Sequence, residues 1–148
     1  MKRFRFQLEM ALEWRRQRMM TQQARLEQLL SQVQQLRRLR QQLQQDYDDS
    51  EASTRSNKTI EAADLQALSA FRRAVEFRQG QLVQQERKLA DAIVSQRKVL
   101  MEETRQTKLL EKLKERKHAD WKKEADRELE NDASDAFLAK WGMRAGDD

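Results

Sequence analysis

Proline is absent from all 148 residues, and the three glycines are Gly80, Gly142 and Gly146. A stretch this long without the two strongest helix breakers suits helix, since linkers and unstructured segments usually accumulate both residues. Charged residues make up 37% of the chain against 38% hydrophobic, with a mean hydropathy of -1.04. That balance leaves too little apolar surface for a thick globular core, but enough for long helices sharing a narrow apolar seam. Glutamine, arginine, leucine, glutamate and lysine dominate, and all are good helix formers. There is no cysteine, so disulfides and thiolate metal sites are excluded and a reducing compartment is expected. No apolar run approaches the ~20 residues that cross a bilayer. The opening Met1-Lys2-Arg3-Phe4-Arg5-Phe6 lacks the continuous apolar stretch of a signal peptide, and a soluble cytoplasmic chain is expected.

Two heptad patterns organise the chain. Over residues 6–48, Leu8, Leu12, Met19, Leu26, Leu29, Val33, Leu36, Leu43 and Tyr47 fall on steps of three and four, with Arg15, Gln22 and Arg40 in the gaps. The pattern stops at a segment from Asp46 to Lys58 rich in Asp, Ser, Thr and Asn, which reads as a turn over about 49–58. Thr59 or Ser56 is the expected N-cap of the next helix, with Glu61 and Asp64 at the positive end of its dipole. The second heptad, over about 59–140, runs through Leu68, Phe71, Val75, Leu82, Leu89, Ala92, Val99, Leu110 and Leu113. Arg78, Gln85, Gln96, Glu103 and Gln106 interrupt it. Gly80 costs this helix about 1 kcal/mol relative to alanine, a weak point and not a break. Residues 141–148 are expected to fray.

These patterns predict an all-α fold: one coiled-coil domain over residues 1–148, a long two-helix antiparallel hairpin whose second helix overhangs the first. A register that sets Tyr47 opposite Leu68, Leu43 opposite Phe71, Arg40 opposite Val75 and Val33 opposite Leu82 puts its midpoint inside the turn segment. The paired part would span roughly 65 Å at the helical rise per residue. In that register Leu8 faces Gln106, and everything beyond it lacks a partner. The competing arrangement is a parallel homodimer, which would set Arg15, Arg40, Arg78 and Glu103 against their own copies in the core.

Nothing in the chain has the pattern of catalytic chemistry. His118 is the only histidine and sits among Lys114, Glu115, Arg116, Lys117 and Asp120, the setting of a solvated helical residue. Phosphate-binding glycine loops, nucleophile elbows and paired-histidine zinc motifs are absent. The net charge of +5 raises nucleic acid as a partner. The arginines, however, alternate with Glu9, Glu13 and seam residues, which is a solvated face and not the basic block of a zipper. No enzyme, cofactor or metal is expected. Aromatic residues gather at Phe4, Phe6 and Trp14 and again at Trp121, Phe137 and Trp141. They either cap the coiled coil, with Phe4 and Phe6 on Leu109 or Leu110, or present a partner surface. Toward the turn, Leu39, Leu43, Tyr47, Phe71 and Val75 are either core or an exposed edge.

Several segments in order resemble the FliJ family of flagellar type III export proteins. The opening Phe4-Arg5-Phe6-Gln7-Leu8 with Leu12 and Arg15 is similar to that family's start, and Leu65-Gln66-Ala67-Leu68-Ser69-Ala70-Phe71 with Val75 to the opening of its second helix. Leu110-Glu111-Lys112-Leu113-Lys114-Glu115-Arg116 resembles a further stretch. Glu130 and Asp135 match a late motif, in which Asp132 and Ala136 depart from the usual lysine and glutamate. The resemblance implies a two-helix coiled coil like the central stalk of rotary ATPases. It implies that a rod of this kind links the export ATPase, FliI, and its regulator FliH to the export gate protein FlhA, with escort of export chaperones. It places the ATPase contact at Phe4, Phe6, Trp14, Leu110, Leu113 and Trp121, and the gate contact at Leu39, Leu43, Tyr47, Phe71 and Val75. The implied location is the cytoplasmic face of the inner membrane at the flagellar base. A generic structural adaptor and the equivalent stalk of a virulence secretion system are the alternatives.

Overall fold

The computed structural model describes residues 2–145 and contains two helices, α1 (Glu9–Ser56) and α2 (Ala62–Ala145). They form the antiparallel coiled-coil hairpin, with α2 the longer helix and its end overhanging. Among the described residues the packing falls into two compact units, 2–19 with 102–145 and Met20–Met101.

α1 extends eight residues past the expected end, because its polar stretch satisfies itself within the helix. Gln42, Gln44 and Gln45 each donate to the aspartate four residues on, at 2.8, 2.9 and 2.9 Å. Arg55 pairs with Glu51 at 2.6 Å, and Thr54 Oγ1–H donates to the Ser50 carbonyl. Such i to i+4 contacts stabilise a helix by a few tenths of a kcal/mol each and remove the competition that would otherwise favour a turn. The connection is therefore residues 57–61, later and shorter than the expected 49–58. Ser56 closes α1 and Thr59 lies in the turn, so neither is the N-cap. The backbone N–H of Glu61 instead donates to Asp64 Oδ2 at 3.3 Å, the returning half of a capping box. At the start, residues 2–8 are not α-helical and α1 begins at Glu9, not near residue 6. α2 continues through residues 141–145, expected to fray, while the rest of that tail, 146–148, lies outside the described residues.

The seam of α1 follows the expected positions from Leu12 to Tyr47. In α2 every seventh expected residue is right, from Val75 through Leu82, Leu89, Gln96, Glu103 and Leu110. The positions between are one residue later: Gln79, Glu86, Ile93, Leu100 and Thr107 replace Arg78, Gln85, Ala92, Val99 and Gln106. Ile93 is buried and Val99 exposed, and the phase that buries Ile93 and Leu100 removes more apolar surface from water than Ala92 and Val99 would.

Within the Met20–Met101 unit, Tyr47 stacks on Phe71 (ring centroids 6.1 Å) and Gln96 Nε2–H donates to both the Oε1 and the carbonyl of Gln22, at 2.7 and 3.0 Å. Tyr47 thus meets a residue three later than the expected Leu68, nearly one helical turn. In the other unit Arg15 meets Glu103 across the helices at 3.4 Å. Polar side chains explain the shift. Apolar residues alone fit either register, whereas these hydrogen bonds form in only one. In a chain free of cysteine, the pair Tyr47→Cys and Phe71→Cys should oxidise to an intrachain disulfide far more completely than Tyr47→Cys with Leu68→Cys. A gel-shift assay that ranks the two pairs the other way would restore the earlier register.

Gly80 lies within α2 with open space around the position of a Cβ. Gly80→Ala should stabilise the hairpin by about 1 kcal/mol in urea unfolding, through the lost backbone freedom of the unfolded chain. A destabilised variant would mean that α2 needs its flexibility there.

Candidate functional site

The terminal unit is built around the residues that precede α1. Trp121 Nε1–H donates to the Lys2 carbonyl at 3.0 Å, tying the start of the chain to the side of α2. Phe4 packs edge-on against His118, with ring centroids 5.0 Å apart and planes at 87°, and lies 5.9 Å from Trp121. His118 completes the cluster at 5.8 Å from Trp121. Such aromatic contacts add about 0.5–1.5 kcal/mol each beyond their burial. Phe4 therefore rests on His118 and Trp121. His118, expected as a purely solvated residue, keeps an exposed edge while its ring is engaged. Beside the cluster is an open groove of about 620 Å³, bordered by Phe6, Leu8, Leu113 and Trp121 with Lys2 and Lys117.

Further along the same unit, Glu103 is buried and receives both Arg15, at 3.4 Å, and Arg18, at 3.2 Å. The same two guanidinium groups lie 5.0 and 4.9 Å from the ring centroid of Trp14, which is half exposed. The indole is held in place by charge and still offers a face to solvent. Lys114 pairs with Glu9 at 2.8 Å and Arg16 with Glu111 at 3.2 Å. α2 thus has partners well past residue 106, where the overhang was expected to begin. The residues before α1 continue alongside it, and Ala125 is still buried. From Asp126 to Ala145 every residue is exposed, including Leu129, Leu138 and Met143. Phe137 and Trp141, 61% and 65% exposed, lie 6.4 Å apart on this last stretch.

The residues expected on the ATPase side, Phe4, Phe6, Trp14, Leu110, Leu113 and Trp121, all fall in this terminal unit. Phe4 and Trp121 touch, Leu110 and Leu113 are half-buried, and Trp14 stands on α1. Those expected on the gate side all fall in the Met20–Met101 unit. Tyr47 and Val75 border one groove of about 390 Å³ together with Glu51, Arg72 and Gln79. Phe71 is 37% exposed and Leu39 41%, Leu43 is half-buried, and Val75 is buried in the seam. Val75 therefore shapes that groove from beneath. Phe77, 70% exposed, and Leu65 near the turn were not anticipated. Phe77 is signalled in the sequence as a large apolar side chain off the heptad phase, whereas Leu65 lies at steps of seven from the seam residues Gln79 and Glu86.

Charge is locally balanced where the helices meet. A hydrogen bond from Arg37 at 2.8 Å holds the Glu86 carboxyl below the ordinary glutamate value, partial desolvation opposes it, and Arg40 at 3.0 Å reinforces it. Among the described residues no cluster of His, Cys, Asp or Glu has the arrangement of a metal site. No helix there is long and apolar enough to cross a membrane.

The family described as flagellar FliJ protein matches residues 4–143, nearly the whole chain. The chain belongs to the FliJ family. No curated protein and no solved structure matches it. Membership makes it a component of flagellar protein export, and the FliJ pattern begins at Phe4, the first residue of the aromatic cluster. Phe4→Ala should release the start of the chain, raising amide exchange and protease cleavage over residues 2–8 while the helix content of α2 is unchanged. Protection equal to that of the unaltered protein would show that the Trp121 hydrogen bond alone holds the segment.

Proposed function

We propose that this FliJ-family chain links the flagellar export ATPase to the export gate by docking a different unit on each, without chemistry of its own. The observation that carries this reading is the bare end of α2: beyond Ala125 it presents Leu129, Phe137, Leu138 and Trp141 to solvent with no cover among the described residues. Apolar and aromatic side chains left exposed on one helix end are the usual anchors of a partner surface. On this reading the terminal unit, with Phe4, Phe6, Trp14, Leu110, Leu113 and Trp121, meets the ATPase FliI and its regulator FliH. The unit with Leu39, Leu43, Tyr47, Phe71 and Val75 meets the gate protein FlhA. Escort of unloaded export chaperones belongs to the same reading, as does a station at the cytoplasmic face of the membrane at the flagellar base. The match to a flagellar family favours this system over a virulence secretion stalk or a generic adaptor.

The test is co-purification with the flagellar export ATPase from the same organism and stimulation of its ATP hydrolysis. Trp141→Ala with Phe137→Ala should reduce binding at least about tenfold, the loss expected when aromatic hot spots are truncated, while the melting temperature stays the same. A full-length chain that neither binds nor stimulates the ATPase, in a deletion strain that swims normally, would overturn the proposal.

A further inference from the structure

α2 carries a second apolar line beside its seam. Val83, Ala90, Val94 and Met101 recur at steps of seven, four and seven, the spacing of one helix face. Val94 and Met101 are 53% and 69% exposed. On α1 Leu30 is exposed as well, and between Leu30 and Val94 lies a groove of about 480 Å³ floored by the buried seam residues Val33 and Ile93. All of these residues belong to the Met20–Met101 unit. Single exposed apolar residues are ordinary on a protein surface. A heptad-spaced line bordering a concave groove between two helices is different, because it matches the ridge of a third helix.

The charge around the groove is one-sided. Arg37 and Arg97 stand along it, and Arg87 shares the face of α2 on which Val94 lies. The one carboxylate bordering it, Glu86, is already bonded by Arg37 and Arg40. Glu27 and Asp91, the carboxylates nearest in sequence, lie outside its lining. Arg87 and Arg97 have no ion-pair partner among the described residues. A second copy docked by the same face would gather the Arg87 and Arg97 of both copies in one interface, with no carboxylate rim to meet them, and set one hollow against another.

We infer that this groove seats an amphipathic helix of a partner protein, its apolar stripe on Leu30 and Val94 and its Asp or Glu rim on Arg87 and Arg97. The interaction adds a third surface to the two used in the proposed link and does not depend on either.

The probes are two labelled synthetic helices of three heptads, each with leucine at the seam positions, one flanked by glutamate and the other by lysine. Fluorescence anisotropy with the full-length chain at physiological salt should favour the glutamate helix by about tenfold or more, as matched charge selects between otherwise equal partners. Val94→Glu, at an exposed position, should weaken that binding by a similar factor with an unchanged thermal melt. Arg87→Glu with Arg97→Glu should invert the preference toward the lysine helix. Equal binding of both helices would overturn the inference, as would binding that Val94→Glu leaves intact, which would mark simple attraction to a basic chain. So would a dimer in sedimentation equilibrium that Val94→Glu dissolves, since the groove would then belong to a second copy.

Discussion

Polar residues placed inside the apolar seam decide how these two helices meet. Glu103 with Arg15 and Arg18, Gln22 with Gln96, and Glu86 with Arg37 and Arg40 each form within one compact unit. Their net gift to stability is small, because partly exposed ion pairs are worth about 0–1 kcal/mol. Their effect on choice is larger. Sliding one helix past the other by a turn would still bury leucine against leucine, but would leave the Glu103 carboxylate, 10% exposed, without its guanidinium groups. An unmatched buried polar group costs about 1–3 kcal/mol, and more when charged. Stability therefore comes from the apolar positions and uniqueness from the polar ones. The same groups that would repel in a parallel pairing, arginine on arginine and glutamate on glutamate, become partners once the chain doubles back.

This division explains which parts of the fold are legible in the sequence. α1 reads correctly from Leu12 to Tyr47 because Val33, Leu36 and Leu43 are each flanked by glutamine or arginine and fix the phase, which the side-by-side Met19-Met20 and Leu29-Leu30 then follow. α2 offers apolar residues side by side, Ala92 with Ile93 and Val99 with Leu100, so two phases share every seventh residue and only side-chain size separates them. Register is harder still, since it is set by pairs of residues up to 105 positions apart. The end of α1 misleads for another reason. Aspartate, serine and threonine favour turns when their side chains compete for the backbone, and here the preceding glutamines occupy the aspartates while Thr54 and Ser56 donate to carbonyls of their own helix.

The candidate surfaces were visible by residue type and not by arrangement. Phe4 and Trp121 are conspicuous in a chain with few aromatics, but their contact, and the part of His118 in it, depends on the residues before α1 packing along α2. The Lys2 carbonyl that accepts from Trp121 carries no side-chain signature at all. At the other surface, Val75 and Phe71 share a heptad yet differ in exposure, and spacing alone could not separate the buried residue from the accessible one. A seam phase through Ala92 and Val99 hides the line through Val94, which stands out only where Ile93 is the buried residue.

A two-helix seam covers one face of each helix and no more, so apolar residues off that face meet water or a partner. In a thicker protein a third layer would bury Leu30, Phe77, Val94 and Met101, and their exposure would be incidental. Here the remaining surface is densely charged, and each of these residues sits among arginine, lysine or glutamine. An apolar anchor ringed by charge associates quickly, because long-range attraction steers the encounter. It also releases readily, because a small anchor buries little area. A narrow core is the structural means of obtaining both, since every residue withheld from the seam remains available for contact.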